Sequence, residues 1–425
     1  MKRKSFYLLL IYYIHVYILL LPLVSSVGKA TELTLPSSFE IGAQLRLRPE
    51  VRGNTDYGGN RNYNLMRFRM NAMFRPNTET LIYIQPQLSK VYGQLFYPGN
   101  STTANLVQPT SGYFYDTPFT IHQAYFDYRP FSNFQFLGGR QIFSYGDELL
   151  IGGGLGWANI GRSFDALKFV MKYSNIQSDF FWSRLVDTSS LTTTGNGSAD
   201  FIGFYNTFDI SKSLRNFDLY LLYLSDTRNS SNTSVLTTGT RLKSSIDFFD
   251  YRIELDYQTG STLSVPQTAG QADFEFGLQI HPQSKFRISI GGFVATAGFN
   301  QLFAAAHKWL GTADVLGRRN VTGGILKTSI SPLSQWVISC DLYQFYRTST
   351  DSPAYKLNGM IPLGSPQQSS ASSIGSEFDF SSVFQLSNFV TLSTGISTLF
   401  SNTYLIQNFG NINPMYAFLE IEARY

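Results

Sequence analysis

Apolar and polar residues alternate one by one over much of this chain. From Ile41 to Arg52, Ala43, Leu45 and Leu47 point one way and Gln44, Arg46, Arg48, Glu50 and Arg52 the other. Successive side chains of a strand face opposite sides, so this stretch predicts a strand with one apolar and one charged face. The pattern returns from Leu65 to Phe74, where Arg67, Arg69 and Asn71 oppose Phe68, Met70 and Ala72. It returns again from Ile82 to Ser89, where Pro86 weakens the ladder because it has no N–H to donate. The cleanest repeats set Tyr251, Ile253, Leu255 and Tyr257 against Arg252, Glu254, Asp256 and Gln258, and Phe274, Phe276, Leu278 and Ile280 against Asp273, Glu275 and Gln279. Further strands are predicted from Phe286 to Ile290, Ile338 to Arg347, Glu377 to Phe384 and Val390 to Ile396. Two places are ambiguous. Asp179 to Leu185 carries large apolar residues on both faces, and Arg140 shares the parity of Phe134 and Phe136 unless a bulge intervenes near Gly138 and Gly139.

The connections decide the architecture. Short ones (Arg75 to Thr78, Pro130 to Asn133, Ser174 to Asn175, His281 to Ser284, Ser331 to Gln335, Gln385 to Asn388) alternate with long ones such as Tyr92 to Phe119, Gly146 to Gly161, Gly298 to Arg319 and Thr348 to Ser373. Such alternation is that of an antiparallel barrel with one rim of turns and one rim of loops. The expected fold is all-β: a single antiparallel transmembrane β-barrel of about 18 strands with both termini periplasmic. Ile41 to Arg52 should close it against Ala417 to Tyr425, where Leu419, Ile421, Ala423 and Tyr425 oppose Glu420, Glu422 and Arg424. Cys340 shares its face with Ile338 and Leu342 and should look at lipid.

The N-terminus agrees. Lys2, Arg3 and Lys4 precede an apolar run from Phe6 to Val24 and small residues at Ser25 and Ser26, the three parts of a secretory signal, with a single membrane anchor as the alternative that the length of the run leaves open. Residues 1–26 are read as that signal and 27–425 as one barrel domain, since no linker divides it. Removing the three basic residues takes the formal net charge from +4 to +1, so the basic pI carries no implication of nucleic acid. The single cysteine excludes an internal disulfide framework. Aromatics at 16% beside charged residues at 15%, with 35 glycines, fit a lipid-facing wall around a polar lumen better than a soluble enzyme.

The candidate chemistry is cationic. Arg46, Arg48, Arg67, Arg69, Lys90, Lys168, Arg184, Arg252 and Arg287 are read as inward-facing, and rings of such side chains attract anions. Glu50, Asp127, Asp165, Glu254, Asp256, Asp273, Glu275, Glu377 and Asp379 nearly match them in number, so pairing that stiffens the wall is an equal alternative. Of the histidines beyond the signal, His122 begins a strand, His281 sits in a short turn and His307 lies in a long loop; a hydrolase needs one held within hydrogen-bond reach of its partner, and serines are too common here to mark one. The glycines Gly152 to Gly156 lack the Gly-Lys-Ser/Thr ending of a phosphate loop. No catalytic residue, cofactor or metal is expected.

The most identifiable stretch runs from Gly139 to Phe169: Arg140 and Gln141, then Tyr145 and Gly146, Trp157, and finally Arg162, Phe164 and Asp165. It resembles the alginate-export family of outer-membrane channels. Similar features stand at Arg46, Arg48 and Pro49, at Gln123 to Asp127, and at Trp309, Gly311 and Asp314. The resemblance implies a barrel whose arginines lead an acidic polysaccharide outward; together with the inward parity read above, it gives Arg46, Arg48, Arg67, Arg69, Asp127, Arg140, Arg162, Asp165, Lys168, Arg252 and Glu254 as the expected pore lining. The expected constriction joins the first strands to the glycine-rich hairpin. The terminal aromatic Tyr425 resembles the signal read by the barrel assembly machinery. The expected partners are therefore outer-membrane lipid, that machinery, an anionic polysaccharide or small solute, and periplasmic export proteins. A general diffusion porin, an outer-membrane hydrolase and a passive adhesive barrel are the alternatives.

Overall fold

The computed structural model describes residues 38–54, 57, 59–92, 117–153, 157–185, 198–211, 214–227 and 232–425. The predicted signal, residues 1–26, lies outside them, as do Gly154 and Gly156. One compact unit, Glu40–Tyr425, carries the barrel.

Its wall strands are β1 (Phe39–Gly53), β2 (Arg61–Phe74), β3 (Thr80–Tyr92), β4 (Thr117–Phe131), β5 (Phe134–Gln141), β6 (Phe164–Tyr173), β7 (Ile176–Arg184), β8 (Ala199–Phe208) and β9 (Phe217–Asp226). They continue as β10 (Thr233–Ile246), β11 (Phe249–Thr262), β12 (Val265–His281), β13 (Phe286–Ala295), β14 (Val321–Leu333), β15 (Trp336–Tyr346), β16 (Ser373–Gln385), β17 (Val390–Ser401) and β18 (Met415–Arg424). All belong to one 18-stranded sheet in which each pairs with its sequence neighbours, and β18 returns to β1 with Arg46 opposite Glu422 and Arg52 opposite Tyr416. Closure leaves no edge, the one way a sheet can satisfy its backbone in lipid.

The alternation predicted this count and this closure. Pro86 sits where the β3–β4 register shifts, as its missing donor requires. The connections that the sequence reading did not single out include two tight turns: Leu263 and Ser264 adopt φ of 51° and 63° between β11 and β12, and Asp247, at φ 52°, starts the turn from β10 to β11.

Faces follow parity. Leu45, Met70, Phe126, Leu167, Trp182, Leu255, Phe274, Leu342 and Phe378 stand exposed on the outer wall. Leu419 joins that face between the inward Phe418 and Glu420, and Cys340 joins it beside the inward Asp341. Inside the loop-side half of the barrel the connections form an apolar core of their own. Phe143, Tyr145, Leu149 and Ile151 of the first infolded loop (142–163) pack with Phe164, Phe181, Phe201 and Tyr205 of the wall. Trp309, Leu310, Val315 and Leu316 of the second (296–320) join the same core. This explains the ambiguous strand: Phe181 is apolar and inward because a loop covers it. Beyond these, α1 (Thr403–Phe409), capped by the Asn402 side chain on the Thr403 amide, buries Tyr404 and Leu405.

Candidate functional site

The first infolded loop is held by arginines acting on its backbone. Arg46 donates to the carbonyls of Trp157 (3.3 Å) and Ala158 (3.1 Å) and to Asn159 Oδ1 (3.2 Å). Arg48 donates to Trp157 O at 2.8 Å, Arg67 to Ala158 O at 2.9 Å and Arg69 to Ile160 O at 2.8 Å. Two adjacent strands thus present four guanidinium groups to four consecutive residues, a pairing made possible by the two-residue period on β1 and β2. Arg46, Arg48 and Arg67 also meet Glu50, Glu420 and Glu422, and Arg69 donates to Gln87 Oε1 at 2.5 Å. All four are buried, so they brace a loop rather than line open water. The expectation that they line the pore is corrected to that extent, and the predicted meeting of the first strands with the glycine-rich hairpin is where they act.

The second infolded loop is held by the opposite chemistry. Glu377 Oε1 accepts from the Ala313 amide (2.8 Å) and Asp379 Oδ2 from the Thr312 amide (2.9 Å). Gly311, at φ +85°, lies so close to the Glu377 carboxylate that a Cβ there would sit 2.2 Å from its oxygen. Successive amides offered after a left-handed residue make an anion-binding nest. Asp314 pairs with Arg52 (3.3 Å) and with His307 Nδ1 (2.6 Å). Burial pushes the Asp314 carboxyl up, but His307 and Arg52 outweigh it and hold it below its ordinary value.

The two loops are joined to each other. Gly152 N donates to Phe303 O (3.0 Å), Phe303 N to Leu150 O (2.9 Å) and Ala305 N to Glu148 O (3.0 Å). The Trp157 and His307 rings stack with centroids 3.7 Å apart and planes 3° from parallel. Arg162 donates to the carbonyls of Gly152 and Phe303, so it ties loop to loop.

The remaining predicted residues divide. Lys168 faces inward and pairs with Asp179 at 2.8 Å, and Arg252 pairs with Asp273 while lying 4.4 Å above Trp309. Glu254 is buried and accepts from Tyr220 OH at 3.0 Å. Asp127 is buried behind Arg129. Arg140 and Asp165 are a correction. They form a two-pronged pair (2.7 and 2.8 Å), but their register places them with Gly138, Leu167, Phe136 and Phe169 on the outer wall. No bulge shifts the parity of Arg140. Lys90 and Arg184, between inward Ser89 and Ser183 and their neighbours, also face outward.

Sequence reasoning missed Arg241, Lys243 and Lys308. Arg241 and Lys243 grip Asp147 of the first loop at 2.7 and 2.6 Å, and Lys308 of the second donates to Asp147 O at 2.9 Å. The two-residue spacing of Arg241 and Lys243 is the signal that was available. Burial pushes the Asp147 carboxyl up, yet Arg241 and Lys243 override it and hold it down at about 2.

Across the inward ion pairs the cation often stands further into solvent than its acid. Side-chain exposures are 58% for Arg129 against 4% for Asp127, 49% for Lys243 against 12% for Asp147, and 71% for Arg424 against 11% for Glu422. Where a long basic side chain reaches past a short acid the wall presents the cation first, whereas Glu420, Glu422 and Asp147 are more exposed than the Arg46, Arg67 and Arg241 that they also pair with. The three histidines assemble no relay: His122 meets Ser163 Oγ (3.1 Å) with its Nε2 buried and unpartnered, His281 lies in an exposed turn with Ser284, and His307 is stacked on Trp157.

Comparison with known proteins bears on family and fold. A family model described as Alginate export matches residues 37–401. No curated protein sequence matches the chain. Among solved structures, a BenF-like porin from Pseudomonas fluorescens Pf-5 is similar at 10% identity and a TM-score of 0.63, over 92% of this chain and 100% of that one. Acinetobacter baumannii OccAB1 is similar at 10% identity and a TM-score of 0.62, over 93% and 99%. Pseudomonas aeruginosa OccD3 (OpdP) is similar at 8% identity and a TM-score of 0.58, over 92% and 93%. At such identities the likeness is one of fold.

Proposed function

The chain belongs to the alginate export family, and on that premise we propose that it is an outer-membrane channel passing a hydrophilic, anionic, acidic saccharide-like solute. The observation that carries the reading is the depth order of charge in the lumen, with Arg129, Lys243 and Arg424 standing in front of Asp127, Asp147 and Glu422. A solute moving along the wall meets guanidinium and ammonium groups first, and several weak sites in series let a charged chain advance without being trapped. The buried arginines of β1 and β2 act indirectly, by fixing the loop that narrows the lumen. The short-turn rim and both termini are assigned to the periplasm, because turns face the periplasm and long loops the exterior in barrels of this kind. Lipid surrounds the wall, the assembly machinery reads the last strand, and periplasmic export proteins would meet the short-turn rim.

A general diffusion porin is the second reading, favoured by the pairing of wall charges such as Arg287 with Asp250 and Glu275. Block of single-channel current separates the two. An acidic oligosaccharide should block at concentrations at least about tenfold below a neutral one of equal length, the ratio that a preference of about 1.4 kcal/mol gives. Equal block by both would favour the general porin.

A further inference from the structure

The carboxylate at Asp147 has an unusual position. It is carried by a loop, not by the wall, and it reaches down to a pair of wall cations near the short-turn end of β10. Gly146 makes that reach possible: it sits at φ +57°, and a Cβ there would lie 3.0 Å from Arg241 Cδ and 3.1 Å from Tyr205 OH. Arg241 holds one Asp147 oxygen through both Nε (3.2 Å) and Nη2 (2.7 Å), and Lys243 holds the other at 2.6 Å. Lys308 completes the grip on the main chain at 2.9 Å.

The wall supplies its own acids here, and they are engaged elsewhere. Asp218 accepts from Tyr205 OH (2.7 Å) and from Arg241 Nη1 (2.8 Å). Glu254 accepts from Tyr220 OH and lies 4.0 Å from Arg241 Nε. Three cations therefore face Asp147, Asp218 and Glu254. If Asp147 leaves, one positive charge stands in excess, and two of the three cations, Lys243 and Lys308, already look into the lumen. Two-pronged guanidinium contact plus an ammonium is a recognition geometry for a carboxylate.

We propose that Asp147 is a tethered stand-in for a solute carboxylate: Arg241, Lys243 and Lys308 form a carboxylate subsite, and an incoming carboxylate takes it by displacing Asp147 and freeing the descending part of the first loop. The inference rests on the anion-conducting reading above. The loop closes the channel on the same contacts that the solute needs, so a neutral sugar has no means of opening it. Because Arg241 and Lys243 keep Asp147 ionised, the competitor must itself be an anion. The remaining anchors of the loop, the arginines on the carbonyls of Trp157 to Ile160, leave its other end in place when Asp147 departs.

The test uses the full barrel in planar bilayers with glucuronate as the anionic probe and glucose as the neutral one. Glucuronate should raise the mean open-state current of the parent and glucose should not. Asp147→Asn should carry the raised current without glucuronate and lose most of the response. Lys243→Gln with Lys308→Gln takes cations from Asp147 and from the solute alike, so it should raise the current without glucuronate and flatten the response to it. An Asp147→Asn barrel with the parent's current and the parent's glucuronate response overturns the subsite. If that variant does not assemble, a lysine pair with the parent's current and the parent's glucuronate response overturns it instead. The reversal potential of the parent, read in the same bilayers, keeps the two levels apart: a cation-selective parent sinks the anion reading, whereas an anion-selective parent with an inert Asp147→Asn sinks only the subsite.

Discussion

Replacing Arg67 and Arg69 by alanine should release the segment 157–163 while leaving the barrel assembled. Each guanidinium is buried and donates one short bond to a loop carbonyl, at 2.9 Å to Ala158 and 2.8 Å to Ile160. A hydrogen bond from a charged donor contributes about 1.5–3 kcal/mol net, so the pair is worth about 3–6 kcal/mol to the docked loop. Arg46 and Arg48 still hold Trp157 and Ala158, which keeps the loop docked most of the time. At 1.4 kcal/mol per factor of ten, the detached population should nonetheless rise by about 100-fold or more. The strand ladders do not involve these side chains, so assembly should be unaffected. The assay places a cysteine at the buried Asn159 in a Cys340→Ser background, in reference and variant alike, and measures its labelling by a water-soluble maleimide. When opening and closing outrun the chemistry, the labelling rate follows the detached population. Labelling at least about 100-fold faster than in the otherwise native barrel is expected, accompanied by larger single-channel conductance. A rate within about threefold of that reference, in a correctly assembled barrel, would refute the claim that these arginines hold the loop.

Leu419→Arg should impair insertion by about 2–4 kcal/mol if the residue lies at the membrane midplane, read as a loss of heat-modifiable folded band in vesicles; normal folding would contradict its outward assignment. Cys340 should react faster with a lipid-soluble thiol reagent than with a charged one in intact vesicles, and equal rates would place it in water. Asp147, held down at about 2, contributes stability that is present above its unfolded value near 3.9 and is lost only as pH falls through about 2. Parental conductance should therefore persist from pH 7 to about 4, with loop release below about 3; opening already at pH 5 would show that another group sets the clamp.

The strand count, the closing pair and the faces of Leu419 and Cys340 were legible because a barrel wall repeats every two residues and has only two environments. Parity read along β5 also placed Arg140 with Phe134 and Phe136, and the structure keeps it there; the motif resemblance drew it into the lumen. The infolded loops were not legible in the same way. Their anchors are main-chain carbonyls at Trp157, Ala158 and Ile160 and main-chain amides at Thr312 and Ala313, which leave no side-chain pattern to read. The indirect sign was the apolar inward face of β7 and β8, where Phe181, Phe201 and Tyr205 require a cover that water does not provide. Burial likewise separates the bracing arginines from exposed cations such as Lys243, a distinction that strand parity does not carry.

The central claim is that exposed cations in front of recessed acids give this lumen its preference. The most direct measurement is the reversal potential across a tenfold salt gradient for the parent barrel and for a variant with Arg129→Gln, Lys243→Gln and Arg424→Gln. The parent should reverse on the anion side, and the variant should move toward or past zero, because Asp127, Asp147 and Glu422 then face the solute without their covers. A parent that reverses on the cation side, or a variant with the parent's potential, would contradict the account.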